Sequence, residues 1–183
     1  MFISKNFLAA ATIAASLIVP SVASANDRDI LATTVPATAC RPNSDSGDAS
    51  VVISNGAYVF NGSATGTVTL YCPLPINANT ISDLTNDNDI STYRVYYRDT
   101  DGIGGASEIT TRLVYRDSAG LNGVGSTWSS NVSNMTDNRT QFVNLNHSVG
   151  SNRLYSFLVT IQRTNTTQNP AFSGIDFAFP PIP

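Results

Sequence analysis

From about residue 50 onward the chain is built from short runs in which apolar and polar residues alternate, separated by turn-forming residues. Thr67–Cys72 reads T-V-T-L-Y-C and sets Val68, Leu70 and Cys72 on one face, the period of a half-buried strand. Pro73 and Pro75 end that run, because proline has no ladder N–H to offer. Ser50–Ser54 and Tyr58–Phe60 are shorter runs of the same kind, and Asn61-Gly62 after the second is a turn signal. Thr140–Leu145 is a further strand candidate. Arg153–Arg163 is nearly continuous in Leu154, Phe157, Leu158, Val159 and Ile161, which predicts a central strand. Phe172–Phe179 alternates again, with Ile175, Phe177 and Phe179 on one face and Asp176 on the other, before the tail P-P-I-P.

A partial repeat lies between these runs. Arg94–Gly105 reads R-V-Y-Y-R-D-T-D-G-I-G-G and Arg112–Gly123 reads R-L-V-Y-R-D-S-A-G-L-N-G. Each copy is an apolar strand followed by Tyr-Arg-Asp, a hydroxyl residue and glycine. Asp and Ser/Thr bond their own backbone and glycine supplies positive φ, so the two copies predict successive strands, paired as a hairpin, leaving the sheet through similar turns. Residues 120–139, rich in Gly, Ser and Asn around Trp128, have the composition of a loop. No amphipathic helix is evident after residue 26. About eight or nine short strands at this spacing predict an all-β antiparallel sandwich of jelly-roll type.

The first 25 residues carry a different pattern. Lys5, an apolar run from Phe7 to about Val19, Pro20 and the small-x-small triplet Ala23-Ser24-Ala25 are the parts of a secretory signal peptide. The apolar run is too short to span a bilayer, and no later stretch approaches the length of a membrane helix. The expectation is therefore a secreted or periplasmic protein with an irregular arm over 26–49 and one sandwich domain over 50–183. In an oxidising compartment Cys40 and Cys72, the only two cysteines, are most simply a disulfide.

Composition narrows the function classes. Charged residues are only 13% of the chain and the net charge is −3, with no basic run, so nucleic acid is not expected as a partner. The single histidine, His147, is the only candidate base for triad chemistry, with a capping or exposed role the plainer one, and it leaves a histidine zinc site short of ligands. Asp87, Asp89, Asp99, Asp101 and Glu108 offer carboxylate pairs to a small extracellular hydrolase, although each also fits turn formation. Asp99-Thr100-Asp101-Gly102 with the later Glu108 faintly echoes a calcium loop, and Asn86–Asp89 is a second oxygen-rich patch; calcium is the one cofactor considered. Trp128, Tyr93, Tyr96, Tyr97 and Tyr115 are candidates for stacking on sugar rings. Tyr96 and Tyr97 are neighbours on one strand and must face opposite ways, so one of them points outward.

The segment from Cys40 to Phe179 resembles a group of exported bacterial β-sandwich proteins without established function. The resemblance rests on the early cysteine, the strand end Y-C-P-L-P at Tyr71–Pro75, the late strand L-Y-S-F-L-V-T-I followed by R-T-N, and N-P-A-F-S-G-I-D at Asn169–Asp176. It implies the sandwich fold and brings no catalytic residue. The resulting expectation is a non-catalytic binding or surface-structural protein, with an extracellular glycan or surface polymer as leading ligand. The alternatives are the Asp-pair hydrolase and a structural subunit using residues 26–40 as a donor strand.

Overall fold

The structure is a computed structural model that describes residues 34–74 and 89–178. The export segment over 1–25, the first part of the arm, the run at Ile81–Leu84, Asp87 with the rest of the Asn86–Asp89 patch apart from the backbone of Asp89, and the tail from Phe179 lie outside the described residues.

In chain order the strands are β1 (Thr34–Pro36), β2 (Arg41–Pro42), β3 (Val51–Ser54), β4 (Ala57–Phe60), β5 (Gly66–Pro73), β6 (Asp89–Arg98), β7 (Ser107–Asp117), β8 (Gly120–Ser129), β9 (Asn138–Ser148), β10 (Leu154–Arg163) and β11 (Ala171–Ala178). They form two antiparallel sheets. One has the order β3-β4-β11-β6-β9, with β1 also paired to β11; the other has the order β2-β5-β10-β7-β8. The chain passes repeatedly from one sheet to the other, as in a jelly roll. The expected all-β antiparallel sandwich is what forms.

Alternation does the sorting. Tyr93, Val95 and Tyr97 of β6 and Phe172, Ile175 and Phe177 of β11 turn inward from the first sheet, and all are buried. Val68, Leu70 and Cys72 of β5 and Phe157, Val159 and Ile161 of β10 turn inward from the second. The faces meet in ring contacts: Tyr93 and Phe157 centroids are 4.8 Å apart, and Phe157 and Phe177 are 5.2 Å apart. β10 is central, as its apolar run predicts, but only one face of it is in the core, since Leu154 is 75% exposed.

Three expectations are corrected. β6 and β7 do not form a hairpin: they belong to different sheets, and residues 99–106 carry the chain across the sandwich. The hairpin is β7–β8, closed at Asp117–Gly120, where Asp117 Oδ1 accepts from Ala119 N at 2.9 Å. Gly120 there has φ of 126°. Trp128 is in strand β8 rather than in a loop; β8 is an edge strand with few buried positions, so its Gly, Asn and Ser imitate loop composition. Between Thr34 and Ser50 the stretch read as irregular holds β1, a 3₁₀ turn, β2 and a six-residue helix α1 (Asp45–Ser50), whose N-cap Ser44 accepts from Gly47 N.

Two features tie this N-terminal stretch down. Cys40 and Cys72 are disulfide-bonded and fully buried beside the β2–β5 pairing, as the cysteine count predicts. β1 lies on β11 with Thr34 opposite Asp176 and Pro36 opposite Gly174. Gly174 sits at a register shift of β11 with φ of 146°, and a Cβ there would stand 2.8 Å from Val35 O. The approach of β1 depends on that missing side chain.

Candidate functional site: a groove on the outer face of the first sheet

On β6 the residues that alternate with the core set are Arg94, Tyr96 and Arg98, and they stand on the outside of the first sheet. Their neighbours across the ladder are Phe142, Thr140 and Asn138 of β9 on one side, and Asp176, Gly174 and Ala171 of β11 on the other. The small residues Ala57, Ala171 and Ser173 leave this face low, while the β3–β4 turn and the start of β9 stand to its sides. The result is an open groove of about 670 Å³. Ser54 and Asn55 line it at the β3–β4 turn, Tyr96 and Arg98 on β6, Asn138, Arg139 and Thr140 on β9, and Asn169 just before β11. Asn55 and Gly56 both have positive φ (50° and 80°), the backbone of a tight two-residue hairpin turn.

Tyr96 is held from two directions. Its hydroxyl donates to Asp176 Oδ2 at 2.6 Å, and the Arg94 guanidinium lies 5.1 Å from its ring centroid. Arg94 Nε bonds both oxygens of Asp176 at 3.0 and 3.1 Å, and Nη2 also donates to Oδ2. Arg94 extends over Phe142 as well, at 5.4 Å. Burial pushes the Tyr96 phenol up, and the hydrogen bond to Asp176 pushes it the same way, so the ring is a neutral hydrogen-bond donor. Arg98 is fixed by Nε and Nη2, which donate to Asn169 O at 3.2 and 2.9 Å. Arg139 is paired with Tyr97 across the ladder, so its side chain turns to the inner face of the sheet, where Nη1 donates to Ser133 Oγ at 2.7 Å.

The five aromatic residues expected as candidates for stacking on sugar are split by the sheet. Tyr96 is in the groove. The Tyr97 side chain is in the core, 3% exposed, and Trp128 of the opposite sheet packs edge-on against it at 5.0 Å. Tyr93 is in the core too, and Tyr115 stacks on His147 at 5.8 Å. His147 Nε2 shares a hydrogen bond with Tyr155 OH at 2.9 Å.

The acids expected to bind calcium are also divided. Asp99 is 1% exposed; Ser107 Oγ donates to its Oδ1 at 2.5 Å and Ser130 Oγ to its Oδ2. Desolvation holds the Asp99 carboxyl above its ordinary value, and the nearby Asp101 adds to the effect. Asp101 Oδ2 accepts from the N–H groups of Ala106 and Ser107, at 2.7 and 3.2 Å, which is turn chemistry. Glu108 does not join them. It follows the inward-facing Ser107 on β7, so it turns to the other face, where Ser129 Oγ donates to it at 2.6 Å. Among the described residues, no group of three or more His, Cys, Asp or Glu could hold a metal ion.

Arg98, Asn55 and Asn169 are groove residues that were not among the sequence candidates. Asn55-Gly56 between two short strands was a usable signal for the rim turn. The others are brought together only by the sheet order.

No protein-family model matches the chain, and no curated protein is similar to it in sequence. Solved structures share the fold. The family 15 xylan-binding module is 7% identical, with TM-score 0.52 over 84% of this chain and 99% of that one. A xylan-binding module of family 86 from Roseburia intestinalis is 10% identical, with TM-score 0.47 over 81% and 95%. A family two carbohydrate esterase from Cellvibrio japonicus is 14% identical, with TM-score 0.43 over 83% of this chain; the chain spans only 36% of that esterase's length.

Proposed function

We propose that the protein is a non-catalytic glycan-binding module, exported to the periplasm or the medium, whose binding site is the outer groove of the first sheet. The observation that carries this reading is the groove itself: one aromatic ring held rigid at its hydroxyl and by a cation, surrounded by amide, hydroxyl and guanidinium groups. A sugar ring needs an apolar surface for its C–H face and directional donors and acceptors for its hydroxyls. Because Tyr96 is already fixed, little side-chain freedom is lost on binding. The sandwich shared with a xylan-binding module supports the same ligand class.

The test is affinity electrophoresis and calorimetry against a panel of soluble plant and bacterial polysaccharides. Tyr96→Ala should weaken binding at least tenfold, with melting curves confirming that the variant folds. Wild-type protein that ignores the whole panel, or a Tyr96→Ala variant that binds as tightly as wild type, would overturn the reading.

A further inference from the structure

We infer that the site takes a run of several sugar residues within a linear polysaccharide chain, and that Phe142 is its second stacking ring. This rests on the glycan-binding reading and specifies the form of its ligand. Phe142 is opposite Arg94 across the β6–β9 ladder, so it turns to the same outer face as Tyr96. It is 56% exposed and stands outside the core cluster.

A lone exposed phenylalanine would need no explanation. This one shares its support with Tyr96. The Arg94 guanidinium lies 5.4 Å from the Phe142 ring centroid and 5.1 Å from that of Tyr96. Arg94 is itself fixed by both oxygens of the buried Asp176. The two rings are thus packed on one anchored cation, and a ligand has little ordering of them left to do. Tyr96 is opposite Thr140, so Phe142 is its diagonal neighbour, at a position roughly 7–8 Å away. A pyranose ring covers one aromatic ring, so rings at that separation serve two sugar residues of one chain. On the other side of Tyr96 the groove continues across β11 and β4 to Asn55. From β4 to β9 is a width of three strand spacings, about 14 Å. Ser54, Asn55, Asn138, Thr140 and Asn169 are spread along that width and offer uncharged donors and acceptors. Hydroxyls repeated along a chain match a site of this length, whereas a single terminal sugar would leave most of it unused.

The probes are oligosaccharides of two to six residues from β-1,4-xylan, β-1,4-glucan and β-1,4-mannan, titrated by calorimetry beside the parent polysaccharides. In a series that binds, wild-type affinity should rise at least tenfold from the disaccharide to the tetrasaccharide and longer members. Phe142→Ala should weaken binding of the longer members about five- to tenfold, the scale of one lost ring contact, and change the disaccharide little. Phe142→Trp, which keeps a flat ring, should preserve the length dependence, and Tyr96→Ala should weaken every member. Melting curves confirm that each variant folds. Wild-type affinity that does not grow beyond the disaccharide would overturn the chain inference and leave the glycan reading standing. A Phe142→Ala variant that binds every length as wild type does would overturn the role of this ring. Because β9 is an edge strand, a contact between two copies is the competing use of a ring there. A wild-type dimer in sedimentation that Phe142→Ala dissociates would therefore also overturn its assignment to sugar. Silence of all the oligosaccharides while a polysaccharide of the wider panel binds would overturn the inference alone, and silence of every polysaccharide would overturn the groove reading.

Discussion

Asp99 shows how one buried residue sets a stability profile. Its carboxyl lies at the crossing between the sheets, 1% exposed, and desolvation raises its proton affinity above that of the unfolded chain, where an aspartate titrates near about 3.9. The folded state then holds the proton more tightly. Stability from this group should rise as pH falls through the raised folded value towards the unfolded one, and should be missing at neutral pH. Asp99→Asn imitates the protonated form. Melting temperatures from pH 4 to 8 should show the variant more stable than wild type near neutrality, with the difference closing towards pH 4. A variant less stable at every pH would mean that the serine hydrogen bonds to the charged carboxylate outweigh its burial. Legibility at this scale was uneven. The i, i+1 rule already required Tyr96 and Tyr97 to face apart, whereas nothing local marked Asp99 as buried: Y-R-D-T-D-G reads as a solvated turn, and half of it is one.

Among the elements, β5, β10 and β11 were readable because each has one fully buried face, which imposes period two on the sequence. β8 was not, because an edge strand with only Val124 fully buried exerts little selection on composition. The β6–β7 crossing was misread for another reason: a repeated strand-and-turn sequence specifies two strands, but not whether they share a sheet. The β1–β11 pairing depends on a single position. Gly174→Val adds a side chain against Val35 O and Pro36 in a backbone conformation that β-branched residues avoid. It should destabilise by about 2–4 kcal/mol, combining strain with the loss of β1 packing. Hydrogen exchange should show the Val35 amide losing protection before the central strands do. Unchanged protection at Val35 would show that β1 is held by other contacts.

For the molecule as a whole, fold class and the cysteine pairing were legible because both follow from global constraints: burial on alternate positions, and an even cysteine count in a chain whose first residues read as an export signal. The groove was not, because its residues come from the β3–β4 turn, β6, β9 and the approach to β11, and only sheet order makes them neighbours. The Cys40–Cys72 bond closes a loop whose ends are 32 residues apart and anchors the N-terminal stretch to β5. Replacing both cysteines with alanine should lower stability by about 3–4 kcal/mol in the chain-entropy account, read as a drop on the order of 10 °C in Tm. A midpoint that does not move would show that the core alone anchors this stretch.

Thr34 lies opposite Asp176 on an antiparallel pair, so the polypeptide enters at β1 and departs at β11 from the same end of one strand. Asn169, Ala171 and Ser173, which help line the groove, are at the opposite end of that strand. Ser173 and Ala178 are separated by about 17 Å of extended backbone. Cargo joined beyond either of these strand ends, whether an enzyme, a fluorophore or a second module, would therefore be connected on the Asp176 side of the groove, away from Asn169.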